Sequence, residues 1–96
     1  MSKLTETEIE KHLQNLPGWN FKDNAIHTEF EFKDFKDCFS VMSRIAFECE
    51  ALNHHPDWAN VYNTLNISLS THDENGVTLK DIELAKAIED IIDEQE

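Results

Sequence analysis

Glycine and proline are scarce in this chain, with two of each in 96 residues. Gly18 and Gly76 stand far apart, so neither a glycine-rich phosphate loop nor a dinucleotide-binding fingerprint exists. There is no G-x-S-x-G elbow, no C-x-x-C pair and no H-E-x-x-H helix. These absences argue against nucleotide cofactors and redox chemistry. Positive charge is also scarce: Lys and Arg number 8 against 20 Asp and Glu, for a net charge of −12. Such a surface repels phosphates and anionic lipid, so direct binding to nucleic acid or to a membrane is not expected. No apolar run approaches the roughly 18 residues of a membrane span, and MSKLTETEIEKHL is too polar for a signal peptide. Cys38 and Cys49 fall on one expected helix about 16 Å apart at 1.5 Å per residue, too far to bridge. A reduced, cytoplasmic setting is the expectation.

What is present suffices for one domain, residues 1–96, with 40% apolar residues. Thr5 with Glu8 forms a capping-box pattern, and Ile9, Leu13 and Leu16 follow at helical spacing until Pro17-Gly18. The spacing predicts a helix over 5–16. Asp23-Asn24 sits between two β-like runs, and Ile26, Thr28, Phe30 and Phe32 alternate with polar residues, as in a half-buried hairpin. Asp34 can cap a second helix reaching Leu52, with Phe35, Phe39, Met42, Ala46 and Cys49 as its expected core stripe. The run from Pro56 to Thr71 is too long for one strand, so a hairpin is expected with its turn within 59–63. Leu65, Ile67 and Leu69 then face the core. Thr78 with Asp81 forms a second capping box, and Leu79, Ile82, Ala85, Ile88 and Ile92 carry a last helix. The order α-β-β-α-β-β-α favours an α+β domain, an antiparallel sheet with helices packed on one face and a site on the open one.

The chemistry concentrates in ECEALNHHPDW. Neighbouring histidines on a regular element diverge, so His54 and His55 share a pocket only where the backbone is irregular. Pro56 disfavours helical geometry at His55 and ends the helix there. His72 closes the later β run before the turn Asp73-Glu74-Asn75-Gly76. Glu50, Asp57 and Asp81 are the neighbouring carboxylates, and a carboxylate beside an imidazole favours its charged form. Imidazoles gathered at one cleft suit general acid–base catalysis. Three histidines could equally ligate a metal with an open fourth position, as in a metal-dependent hydrolase, or form a structural cluster. Trp58 reads as a core anchor or as an aromatic wall for a flat ligand. His12 and His27 read as surface residues.

Glu50-x-x-x-His54-His55-Pro56, followed by Trp58, Tyr62-Asn63, Ser70-Thr71-His72, Gly76, Thr78 and Asp81, resembles the signature of the pterin-4a-carbinolamine dehydratase family. The resemblance runs from Glu50 to about Ala85. It implies a four-stranded antiparallel sheet with helices on one face, and subunits joined as homodimers or homotetramers. It implies a dehydratase acting on 4a-hydroxytetrahydropterin (the 4a-carbinolamine) to give quinonoid dihydropterin in tetrahydrobiopterin recycling. No metal and no organic cofactor are implied. The family's catalytic histidines correspond to His54, His55 and His72. Glu50, Pro56, Asp57, Trp58 and Asp81 are then expected around the substrate: Trp58 bordering the ring, Glu50 and Asp57 tuning the imidazoles, and Asp81 capping the last helix while orienting His72. The alternative within the same fold is a protein-binding dimerisation or coactivator module.

Overall fold

A computed structural model describes residues 2–94. Met1, Gln95 and Glu96, the ends of the expected 1–96 domain, lie outside the described residues.

Helix α1 spans Glu6–Leu13. Thr5 caps it by accepting from the Glu8 amide at 3.2 Å, while the Glu8 carboxylate accepts from the Thr5 amide at 2.8 Å. Hydrogen bonding from the Thr5 amide, and secondarily from its side chain, holds the Glu8 carboxyl below the usual carboxylate range. The helix stops three residues before the expected end at 16. There the amides of Gln14, Asn15 and Leu16 bond the carbonyls of Lys11, His12 and Leu13, tightening the chain into three-residue turns that bury Leu16.

Strands β1 (Asn20–Lys22) and β2 (Ala25–Glu31) form a hairpin around Asp23-Asn24. Both turn residues have positive φ, 51° and 62°, which Asp and Asn tolerate better than most residues. Helix α2 (Phe35–Leu52) is capped by Asp34, which accepts from the Asp37 amide at 2.9 Å. Strands β3 (Asp57–Val61) and β4 (Thr64–Leu69) make the second hairpin, with its turn at Tyr62-Asn63. One 3₁₀ turn, His72–Glu74, leads to helix α3 (Leu79–Glu94).

The sheet order is β1-β2-β4-β3, antiparallel throughout. The β2–β4 register pairs Ile26 with Leu69, Thr28 with Ile67 and Phe30 with Leu65 on the core side. Between them His27, Glu29 and Glu31 oppose Ser68, Asn66 and Thr64 on the other face. The expected α+β architecture, with four antiparallel strands and helices on one face, is what the chain adopts.

One expected stripe is corrected. Helix α2 buries Cys38, Val41, Ile45 and Cys49, whereas Phe35, Phe39 and Ala46 of the expected stripe are exposed. The two stripes lie about one residue apart around the helix, and both satisfy three-four spacing. Only docking on the sheet chooses between them. Ile82, Leu84, Ala85 and Ile88 of α3 complete the core, while Leu79 is 40% exposed. Each fully buried Leu or Ile here contributes about 1.5–3 kcal/mol relative to exposure.

Candidate active site

Helix α2 ends before Pro56 can act on it. Asn53 takes a left-handed conformation, φ 52°, and the His54 amide reaches back to the Cys49 carbonyl at 3.0 Å. That closure swings His54 away from the helix path, and Pro56 then keeps His55 extended. The irregular backbone expected from the proline is therefore set mainly by Asn53.

The α2–β3 connection faces the segment between β4 and α3. Together they enclose a cleft of about 420 Å³ whose walls include His54, His55, Pro56, Thr71, His72 and Lys80. Ser70 and Asp73 border it as well. The cleft lies at the end of the domain where these two connections meet, not on the open sheet face where a site was expected. All three histidines of the motif are on its wall.

His54 is the most constrained of them. Its Nε2 lies 2.5 Å from Oδ1 of Asp81, a side chain with no solvent exposure. Asp81 Oδ2 accepts from the Thr78 amide and from the Thr71 hydroxyl, each at 2.9 Å. A buried carboxylate is costly unless polar partners surround it, and here two donors and the His54 ring nitrogen converge on it at the positive end of α3. Asp81 thus caps α3 as expected, but the imidazole it holds is His54, not His72.

His55 meets Glu50 Oε2 at 2.6 Å through its own Nε2, in a largely exposed pair. His72 opens the 3₁₀ turn and is exposed; it does not end a strand, since β4 stops at Leu69. Glu50 touches the cleft wall through His55 without lining the cleft itself, and Pro56 borders the cleft directly.

Trp58 and Asp57 are corrections to the expected lining. Trp58 lies opposite Ile67 in the β3–β4 register, so its ring turns to the helix side and packs against the core. Asp57 lies opposite Ser68 on the other sheet face and is exposed. Neither lines the cleft. Thr71, Ser70 and Lys80 were not expected as individual site residues. The Ser70-Thr71-His72 run lies within the motif, but its spacing does not reveal that Thr71 reaches a carboxylate on another element.

Comparison with known proteins decides the affiliation. A family model for pterin 4 alpha carbinolamine dehydratase matches residues 2–91. The chain belongs to the pterin-4a-carbinolamine dehydratase family. Its relatives include a provisionally named pterin-4-alpha-carbinolamine dehydratase of Christiangramia forsetii, 57% identical over 97% of this chain and 96% of that one. Another, from Opitutus terrae and named in the same provisional way, is 47% identical over 92% of each chain. A crystal structure from Brucella melitensis, described as a transcriptional coactivator/pterin dehydratase, superposes with a TM-score of 0.91 at 43% identity, covering 94% of this chain and 98% of that one. The enzyme class of the family is hydro-lyase. Among the described residues no helix is long and apolar enough to cross a membrane.

Proposed function

We propose that the cleft binds a 4a-hydroxytetrahydropterin and removes water from it by histidine acid–base catalysis, yielding quinonoid dihydropterin. The observation that carries this reading is the convergence of His54, His55 and His72, from two distant stretches of chain, on one cleft of about 420 Å³. That volume falls in the range of small-molecule sites.

In the reaction the N5 lone pair expels hydroxide from C4a. A general acid protonates the departing oxygen, and a base takes the proton lost from the ring. The His54 ring is clamped through Nε2, which leaves Nδ1 to exchange protons in the cleft. His72, on the facing connection, is the second exchanging group. The two share the acid and base roles. His55, steadied by Glu50, binds the pterin. No metal or organic cofactor takes part. The reaction would serve tetrahydrobiopterin recycling, acting on the carbinolamine that aromatic amino-acid hydroxylases release.

Assembly into homodimers or homotetramers belongs to the same reading. It is supported by α2, whose Phe35, Phe39 and Phe47 are 45%, 55% and 78% exposed. The same helix face favours a second reading, a protein-binding module, because the Brucella melitensis neighbour is described as a coactivator as well as a dehydratase.

The deciding experiment is stopped-flow dehydration of enzymatically generated 4a-hydroxytetrahydropterin, with and without EDTA. Acceleration by the protein that survives EDTA is the expected result. No acceleration would leave the binding-module reading, and loss of the rate with EDTA would favour the metal-dependent one.

A further inference from the structure

The contacts behind His54 form a chain of hydrogen bonds that runs in one direction. The Thr71 hydroxyl donates to Asp81 Oδ2 at 2.9 Å. A hydroxyl has one hydrogen, so the 2.8 Å contact between the Thr71 and Thr78 hydroxyls must be Thr78 donating to Thr71. Thr78 Oγ1 in turn accepts from the Lys80 amide at 3.2 Å. The series starts at a backbone N–H in the first turn of α3, passes through Thr78 and Thr71, and ends on the carboxylate that holds His54. Hydrogen bonds aligned in this way polarise one another.

The far end of the series is the imidazole. Nε2 is committed to Asp81, while Nδ1 has no hydrogen-bond partner among the described residues. Among those residues no buried side-chain nitrogen or oxygen lacks a partner, so Nδ1 must reach solvent. His54 is on the cleft wall and its side chain is only 10% exposed, so that solvent is the cleft.

We propose that Thr71 is a positioning residue for the dehydration: its hydroxyl fixes the Asp81 carboxylate so that His54 carries its hydrogen on Nε2 and presents the Nδ1 lone pair to the substrate. The assignment rests on the proposed acid–base role of His54 and gives it the part of the base, leaving the acid's part to His72. Thr71 needs no contact with the pterin to act in this way. Without its hydroxyl, Asp81 Oδ2 keeps only the Thr78 amide, and the carboxylate is free to rotate away from the ring. His54 then samples both neutral tautomers, and the wrong one offers an N–H where the reaction needs a lone pair.

The test combines long-range ¹H–¹⁵N NMR of the imidazole nitrogens with dehydration kinetics on wild type, Thr71→Val and Thr71→Ser, with His54→Gln used to assign the His54 signals. Wild type should show the Nε2–H tautomer alone. Thr71→Val should show a tautomer mixture and a kcat at least about tenfold lower with KM within about twofold, and Thr71→Ser should restore both. Wild-type His54 carrying its hydrogen on Nδ1 would overturn the proposal even if Thr71→Val failed to fold. So would a folded Thr71→Val protein with an unchanged tautomer or an unchanged kcat. If wild type shows the Nε2–H tautomer and Thr71→Val disturbs it, but no variant dehydrates the pterin, the positioning stands and the dehydratase reading falls.

Discussion

His54 and Asp81 are 27 residues apart in the chain and 2.5 Å apart in the fold. The pair joins the C-terminal end of α2 to the first turn of α3, so it closes one end of the domain and orients an imidazole of the cleft at once. Structure and proposed chemistry share one carboxylate.

Replacing that carboxylate should therefore affect both. Asp81→Ala leaves the Thr78 amide and the Thr71 hydroxyl without their acceptor in a buried site. The expected loss is about 2–3 kcal/mol of stability, read from urea unfolding. Dehydration kcat should fall by about a hundredfold or more at a temperature where the variant remains folded. A variant as stable and as active as wild type would remove Asp81 from both roles.

The histidines should separate in their kinetics. His54→Ala and His72→Ala are each expected to lower kcat by roughly 10²–10⁴, the usual worth of a placed proton transfer. His55→Ala should act mainly on KM. His27 bonds Ser68 and the Lys22 carbonyl on the helix-free sheet face, away from the cleft, so His27→Gln should leave both constants unchanged. If His54→Ala or His72→Ala kept wild-type kcat, the shared acid and base assignment would be wrong.

The two faces of α2 should respond differently. Ile45 is fully buried, and Ile45→Ala should cost about 2–5 kcal/mol in chemical unfolding. Phe47 is 78% exposed, so Phe47→Asp should barely change the fold of a subunit. It should instead shift the sedimentation coefficient to a smaller species if subunits associate through this helix face. An unchanged coefficient would place the interface elsewhere.

Cys49 is buried, and desolvation, reinforced by the Glu50 charge, pushes its thiol up to about 11 from 9.0. The native thiol should resist iodoacetamide at pH 8 and react only after unfolding, as mass spectrometry of labelled peptides would report. The same shift gives a sign for alkaline stability. Above about pH 9 the unfolded thiol loses its proton before the native one, so the native state holds more protons. Stability then falls as pH rises from 9 to 11. Below pH 9 this group has no effect on the pH dependence. Cys49→Ser should flatten the alkaline decline; an unaltered slope would exclude the thiol as its source.

Local signals carried much of the fold because their causes are local. The Thr5–Glu8 box, the Asp34 cap, the Asp23-Asn24 turn and the alternation of Leu65, Ile67 and Leu69 each depend on residues within a few positions of one another. The motif from Glu50 to Asp81 likewise named the three histidines, since their linked spacings are readable in one dimension. Trp58 stayed open between core anchor and ring wall for want of one residue of register. With the turn at Tyr62-Asn63, Trp58 falls opposite Ile67 and must face the core, whereas a one-residue slip would have turned it outward.

Sequence alone determined which elements form, where most of them are capped, and which imidazoles stand beside Asn53 and Thr71. Tertiary structure alone decided which apolar stripe of α2 is buried, that Asp81 holds His54 and not His72, and that Thr71 stands behind both. The physical reason is range. Caps, turns and alternation are satisfied by near neighbours, whereas a buried carboxylate takes whatever donors the packing of distant elements brings within hydrogen-bond reach.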